Sequence, residues 1–216
     1  MKTVAVIDYG MGNLHSVAKA LEQVAEDTRV IVTADSNEIL AADRAVLPGV
    51  GAMRDCMGEM KRLGIDQVAR QFAETKPLLG VCVGMQAMFD SSEENNGVDC
   101  LGLLPGKVLA FDTNMTDPNS GERLKVPHMG WNRVHHALEE HPMWNFIEDG
   151  AHFYFVHSYY VEPADPNLIA GFSTYPHAFT AAVTKDNVFA VQFHPEKSQA
   201  AGLQLYANFL KWNGNN

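Results

Sequence analysis

The apolar segment Leu78-Leu79 runs straight into Gly80-Val81-Cys82-Val83-Gly84. A cysteine at the end of an apolar strand, with a glycine two residues away on each side, is the sequence form of a nucleophile elbow. That motif demands a sharp strand-to-helix turn, and the two glycines relieve crowding where the nucleophile sits in a strained conformation. The turn pushes the sulfur out at the end of a sheet. A helix starting near Gly84 then aims its positive end at the sulfur and favours thiolate. The other reading is a buried core cysteine at a strand end.

An elbow of this kind needs a strand between helices, and the first half of the chain supplies the alternation. Val4–Asp8 is a continuous apolar run, followed by Leu14, Val17, Ala18, Leu21, Val24 and Ala25 at helical spacing, with Asn13 at the N-cap position. Arg29–Thr33 and Ala45–Leu47 read as strands, with a short helical piece at Ile39–Ala42 between them. Helical segments span Arg54–Leu63 and Ile65–Glu74, and the elbow strand Leu78–Cys82 follows. Unbroken apolar strands between helices imply a parallel sheet covered on both faces. After Gly102 the pattern changes to strands joined by turns: Lys107–Phe111, Arg133–His136, His152–Val156, Ile169–Phe172, Thr180–Thr184 and Val188–Phe193. These predict a mixed, partly antiparallel extension of the same single domain, residues 1–216. Asp112–Lys125 reads as an exposed loop. A last helix carries Leu203, Tyr206, Ala207 and Leu210 on one face, with Phe209 beside them.

A thiol nucleophile needs a base, and the base needs an orienting acceptor. The strand Phe189–Phe193 ends in His194-Pro195-Glu196. In extended chain, residues i and i+2 point to the same side. Glu196 can then accept from one imidazole nitrogen of His194 and leave the other free to face Cys82. A solvated, inert His-Pro-Glu turn is the alternative.

Two glycine-rich turns follow strands: Asp8-Tyr9-Gly10-Met11-Gly12-Asn13 and Pro48-Gly49-Val50-Gly51. Neither completes the dinucleotide fingerprint, since His15 and Arg54 stand at the third glycine, and neither ends in the Gly-Lys-Ser/Thr of a phosphate loop. Both should lie at carboxyl ends of parallel strands, where open α/β sheets place their sites. Attack on an amide creates an oxyanion that needs two donors. The N–H of Val83 is one candidate, and the flexible backbone of Gly49, Val50 and Gly51 suits the other. A tight turn without chemical duty is the competing reading, and for Asp8–Asn13 taken alone, a turn plus helix cap is the reading preferred.

Gln86 lies on the first turn after the elbow and could bond a substrate amide. Phe153–Tyr160 is a dense aromatic strand, mostly core, whose Ser158-Tyr159 end could face the site with backbone groups. Val126-Pro127-His128-Met129-Gly130-Trp131-Asn132 reads as an interaction surface if exposed and as ordinary core if buried.

Composition removes other classes. A formal net charge of −10 argues against nucleic acid or anionic membrane as partners. No apolar run approaches the ~20 residues that span a bilayer. Met1–Asp8 reads as a first strand and not as a signal peptide. Cys56, Cys82 and Cys100 make an odd number, which argues for free thiols in a reducing cytoplasm. With neither Cys-x-x-Cys nor His-Glu-x-x-His in the chain, no metal site and no cofactor are expected.

Gly80–Gly84 with Met85-Gln86, together with Gln192-Phe193-His194-Pro195-Glu196, resembles the class I (triad) glutamine amidotransferases. Asp8–Asn13, Pro48–Gly51, Pro127–Asn132 and His157-Ser158-Tyr159 sharpen the resemblance toward the branch that serves imidazole glycerol phosphate synthases. The likeness covers nearly the whole chain. Val83 stands where leucine is common in the family, and Met53 where phenylalanine is. The resemblance implies a flavodoxin-like core, an open mixed, largely parallel sheet flanked by helices. It implies hydrolysis of glutamine to glutamate and ammonia, with the ammonia passed to a cyclase subunit, a (β/α)8 barrel, in histidine biosynthesis. Cys82 would be the nucleophile, His194 the acid/base and Glu196 its orienter. Val83 and the Gly49–Gly51 peptides would supply the oxyanion donors, and Gln86 with the backbone of Ser158 and Tyr159 would hold glutamine. Tyr9, Met11 and Asn13 of the first loop, and His128, Met129 and Trp131, would lie toward the cyclase. Family behaviour further implies that the Gly49–Val50 peptide reorients before the oxyanion hole forms. A stand-alone cysteine hydrolase and a non-catalytic binding module on the same fold remain the competing functions.

Overall fold

In the computed structural model, which describes residues 1–118 and 120–214, strand and helix alternate as the apolar pattern demands. β1 (Lys2–Ile7) leads to α1 (Leu14–Val24), β2 (Thr28–Thr33), α2 (Ser36–Ala41) and β3 (Arg44–Leu47). Then come α3 (Met53–Leu63), α4 (Ile65–Ala73), β4 (Leu78–Val81) and the short α5 (Val83–Ala87). The second half holds β5 (Ser91–Ser92), β6 (Val98–Asp99), β7 (Gly106–Ala110), β8 (His128–His136) and β9 (Ala151–His157). It continues through β10 (Tyr159–Pro163), β11 (Ile169–Thr174), β12 (Ala178–Lys185) and β13 (Val188–Val191) to α6 (Gln199–Lys211).

Strands run in the order β2-β1-β3-β4-β13-β12-β10-β7-β5-β6. From β2 to β13 every neighbour is parallel. Every residue of β3, β4 and β13 is buried, because helices cover both faces of these central strands. β12 turns the sheet antiparallel, and β11, β8 and β9 branch from it. Arg44 opens β3 inside this apolar layer. Its guanidinium donates to the carbonyls of Phe209 and Trp212 at 2.9 and 2.6 Å, so a cation satisfies the carboxyl end of α6.

Several local expectations change. Asn13 does occupy the N-cap position of α1, but its side chain makes no capping bond. The strand expected over Arg133–His136 begins earlier, at His128, and pairs with β9 along most of its length. The aromatic run Phe153–Tyr160 is not one strand: β9 ends at His157, and β10 starts at Tyr159 and runs on to Pro163, a proline tolerated at the strand's end. On α6 Tyr206, Phe209 and Leu210 are buried as expected, joined by Gly202, Leu205 and Asn208, while Leu203 and Ala207 are only half-buried. Gly202 belongs to this buried set because a Cβ there would overlap the carbonyl of Pro195. The helix thus packs directly on the turn that holds His194 and Glu196.

The carboxyl ends of β1, β3, β4 and β13 are adjacent in the sheet. They carry, in turn, the Asp8–Asn13 loop, Pro48–Gly51, Cys82 and the segment Gln192–Glu196. Four segments far apart in sequence meet at one edge.

Candidate active site

Cys82 is buried, with φ 54° and ψ −113°, a conformation that a non-glycine residue holds only when its surroundings enforce it. Its N–H donates to the carbonyl of Val191 at 2.8 Å, extending the β4–β13 ladder one residue into the turn. The flanking glycines are required by contact. A Cβ at Gly84 would overlap the carbonyl of Leu47, and one at Gly80 would come within 2.9 Å of the Met88 thioether. α5 has only five residues, so its dipole is weaker than a full helix would give. The charged partner of the sulfur comes instead from across the sheet.

That partner is His194. Nδ1 of His194 lies 2.8 Å from Oε1 of Glu196, both side chains being buried. The approach is not made along an extended strand, since β13 stops at Val191 and Pro195–Lys197 forms a single 3-10 turn. Ser198 Oγ donates to the carbonyl of His194 at 2.6 Å and accepts from the N–H of Tyr154 at 3.0 Å, fixing the turn. Tyr206 on α6 directs its hydroxyl at the other Glu196 oxygen from 3.5 Å. The remaining nitrogen, Nε2 of His194, is buried with no hydrogen-bond partner among the described residues. It shares a cavity of about 350 Å³ with Cys82. Burial opposes the imidazolium, but Cys82 and Glu196 outweigh it and push His194 up to about 10. Sulfur and ring thus border one cavity without a closed hydrogen bond between them.

In α5 the first amide with an intrahelical acceptor is that of Gln86, bonded to the carbonyl of Cys82 at 3.2 Å. The N–H of Val83 is thus left for another partner, directly beside the sulfur. Pro48–Gly51 lies against this helix start: a Cβ on Gly49 would come within 2.6 Å of the Gly84 nitrogen. Gly51 has φ +89°, and Val50 is 38% exposed at the cavity wall.

Gln86 is not solvated, as a lone helical glutamine would be. It is buried, and its Nε2 donates to the carbonyl of Tyr159 at 3.0 Å and to Oε1 of Gln192 at 2.9 Å. Ser158 and Tyr159 line the same cavity. A neutral histidine pair supports this wall. His157 Nδ1 donates to the Tyr159 carbonyl at 2.8 Å, so its Nε2 must accept from Nδ1 of His128 at 2.9 Å. Burial drives His157 down to about 3 and His128 to about 4, keeping both rings uncharged.

Tyr9 and His128 are buried and present no outer surface in this chain, contrary to the expectation that both face a partner. Tyr9 packs under the second glycine turn, and His128 stacks on Tyr175 at 4.1 Å between ring centroids. Met11 and Asn13 are half-buried, while Met129 and Trp131 are 62% and 47% exposed. Alternation along β8 explains the split, His128 pointing in and its neighbours out.

Four site residues were not identified as such from sequence: Gln192, Glu94, His157 and Tyr206. Gln192 reads as strand, and only its period-2 relation to His194 hints at the site face. Glu94 comes from a connecting segment with no motif; it lines the cavity while accepting from the N–H of Met53 at 2.9 Å. A second, larger cavity between α1 and the Pro195–Lys197 turn reaches Glu196 but neither Cys82 nor His194.

The family description "Glutamine amidotransferase class-I" matches residues 5–212. The imidazole glycerol phosphate synthase subunit HisH of Methylococcus capsulatus is 58% identical over 212 residues, covering 98% of this chain and 97% of that protein. Subunit HisH 1 of Pseudomonas aeruginosa is 57% identical over 214 residues, covering 99% of each. Among solved structures, PurLQS from Thermotoga maritima superposes with a TM-score of 0.72 at 18% identity, covering 97% of this chain and 98% of that one, which is a likeness of fold.

Proposed function

We propose, for a chain that belongs to the class I glutamine amidotransferases and within them to the imidazole glycerol phosphate synthase subunits, that Cys82, His194 and Glu196 hydrolyse glutamine and that the ammonia is delivered to a cyclase subunit. The observation that carries this reading is the buried His194–Glu196 pair, whose free Nε2 opens onto the cavity that holds the Cys82 sulfur.

The Cys82 thiolate attacks the side-chain carbonyl carbon of glutamine. The carbonyl electron pair moves to oxygen, where the N–H groups of Val83 and of the Gly49–Val50 peptide receive it. As the C–N bond breaks, His194 Nε2 gives its proton to the departing nitrogen, which leaves as ammonia. The γ-glutamyl thioester that remains is attacked by water, with His194 now taking the proton. Glutamate leaves and the sulfur is restored. Glu196 holds the imidazole in the tautomer that keeps Nε2 toward the reaction. Gln86 and the backbone at Ser158 and Tyr159 position the substrate side chain, and the Glu94 carboxylate suits its α-ammonium group.

Ammonia is a useful nucleophile only while unprotonated, so a closed passage to the acceptor protects it. Met129 and Trp131 offer an exposed apolar surface for a partner, and the half-buried Met11 and Asn13 of the first loop would lie toward the same partner. The Met11 methyl already reaches the oxyanion turn, standing 3.0 Å from where a Cβ of Gly51 would be. Docking there has a direct route to the second turn.

Glutamate release by the purified chain tests the reading in three states: alone, with the cyclase subunit, and with the cyclase plus its nucleotide substrate. Each is run beside Cys82→Ala. Turnover that rises chiefly in the liganded complex and vanishes in Cys82→Ala is expected. Full turnover by the chain alone, unmoved by the cyclase, would point to a stand-alone hydrolase.

A further inference from the structure

Two buried donors hold the oxyanion turn from beneath, one on each side of a single peptide. Tyr9, just beyond β1, donates its hydroxyl to the carbonyl of Pro48 at 2.8 Å. Cys56 on α3 directs its Sγ at the carbonyl of Val50 at 3.4 Å. Both side chains are wholly buried. Between the two pinned carbonyls lies the Gly49–Val50 peptide, whose carbonyl and N–H have no hydrogen-bond partner among the described residues. Tyr9 also crowds this point: a Cβ on Gly49 would fall 2.9 Å from its hydroxyl oxygen. The absence of a side chain at Gly49 is what leaves the peptide room to turn.

We propose that Tyr9 and Cys56 are positioning residues that clamp the peptides flanking Gly49–Val50, so that this peptide turns alone and sets its N–H against the oxyanion. The proposal rests on the oxyanion role assigned above to Val50. With the neighbouring carbonyls fixed, only ψ of Gly49 and φ of Val50 change when the peptide rotates. A loop pinned at one end alone would move as a whole and place the N–H loosely. Burial, the main cause, holds Tyr9 well above its ordinary range and raises Cys56 to about 11, so both keep the protons they donate. Such a pair acts on transition-state stabilisation and not on substrate affinity. Removing an oxyanion donor outright costs about 10²–10³ in turnover, and misplacing one costs part of that.

The test uses the complex of this chain with the cyclase subunit and its nucleotide substrate. Glutaminase kcat and KM are measured for Tyr9→Phe, Cys56→Ala, Cys56→Ser and Val50→Pro. Alkylation of Cys82 by iodoacetamide reports the sulfur separately. Tyr9→Phe and Cys56→Ala should lower kcat about tenfold, with KM within about twofold and alkylation unchanged. Cys56→Ser, which keeps a donor, should restore most of the turnover. If Tyr9→Phe does not fold, the contrast between Cys56→Ala and Cys56→Ser decides. Undiminished kcat in both Tyr9→Phe and Cys56→Ala, with Val50→Pro inactive, overturns the clamp and leaves the oxyanion assignment standing. Undiminished kcat in Val50→Pro overturns that assignment and the clamp with it.

Discussion

Gln86 and Gln192, on α5 and just beyond β13, join side chain to side chain behind the candidate nucleophile, Nε2 to Oε1 at 2.9 Å. Gln192 Nε2 in turn lies 3.8 Å from the Cys82 sulfur. Because Gln86 spends both amide hydrogens, on Gln192 and on the Tyr159 carbonyl, it turns an acceptor oxygen to the cavity. Replacing Gln192 by leucine leaves a buried Gln86 hydrogen without a partner. The expected cost is about 1–3 kcal/mol of stability, together with a raised KM for glutamine as Gln86 loses its anchor. Urea unfolding and steady-state kinetics on the same preparation measure both. Unchanged KM would remove Gln86 from substrate positioning.

Glu196→Gln leaves the shape of the triad intact and reverses its bookkeeping of protons. A neutral amide can donate to His194 Nδ1, which moves the ring proton to Nε2 and removes the charge that supports the imidazolium. Loss of turnover on the order of 10³–10⁴-fold is expected, the size seen when the orienting acid of a hydrolytic triad becomes an amide. KM should change little, since Glu196 does not line the candidate glutamine cavity. A variant within tenfold of the parent would show that Glu196 is only a turn-stabilising residue.

Stability should fall on both sides of neutrality, through different histidines. His128 and His157 are lowered to about 4 and about 3, so between pH ~6.5 and those values the unfolded chain takes up protons that the folded chain refuses. Their contribution is present above pH ~6.5 and lost as pH falls. His194 is raised to about 10, so its contribution is present below pH ~6.5 and lost as pH rises toward that value. Chemical denaturation across pH 4.5 to 9.5 maps the two limbs, on the order of 1.4 kcal/mol per unit of pH per group. The Cys82 sulfur is the largest influence that raises His194, so Cys82→Ala should flatten the alkaline limb and leave the acid limb alone. An alkaline limb that persists in that variant would assign it to another group.

Motifs that are local in sequence carried through to the structure. The elbow Gly80–Gly84 is legible because a strand, a strained cysteine and a helix must follow one another directly, and His194 with Glu196 because two residues span the pair. What escaped is what only the tertiary fold brings together. Gln192 meets Gln86 across 106 positions, and nothing local in either stretch signals the other. The resemblance sets Tyr9 and His128 toward a partner but carries no information on which way each side chain points; the pleat of β8 turns His128 inward, and the hydrogen bond to Pro48 holds Tyr9 under the second glycine turn. The break between β9 and β10 is not legible because Phe153–Tyr160 is an almost continuous aromatic run, and nothing local marks Ser158 as the point where one strand ends. The dipole of α5 was overestimated because the sequence does not reveal that the helix stops at Ala87.

Two glycine-to-alanine changes in helices should have opposite signs. Gly58 sits in the middle of α3, exposed, with nothing within 4 Å of a Cβ placed there. Alanine adds no clash, lowers the entropy of the unfolded chain and suits a helix interior better, so Gly58→Ala should stabilise by about 0.5–1 kcal/mol without touching turnover. Gly84 sits in the first turn of α5, where a methyl group would overlap the carbonyl of Leu47. That carbonyl belongs to β3, a wholly buried strand that cannot yield, so the helix must move instead. Moving it displaces Val83, the elbow and the contact between α5 and the oxyanion turn at once. Gly84→Ala should therefore cost more than about 2 kcal/mol, or turnover on the order of a hundredfold where the fold survives. Denaturation midpoints and glutamate release for the two variants, side by side, separate the effect of the methyl group from the effect of its place. Equal behaviour would mean that the elbow tolerates displacement, and the close packing of α5 on the end of β3 would then lose its role in setting the nucleophile.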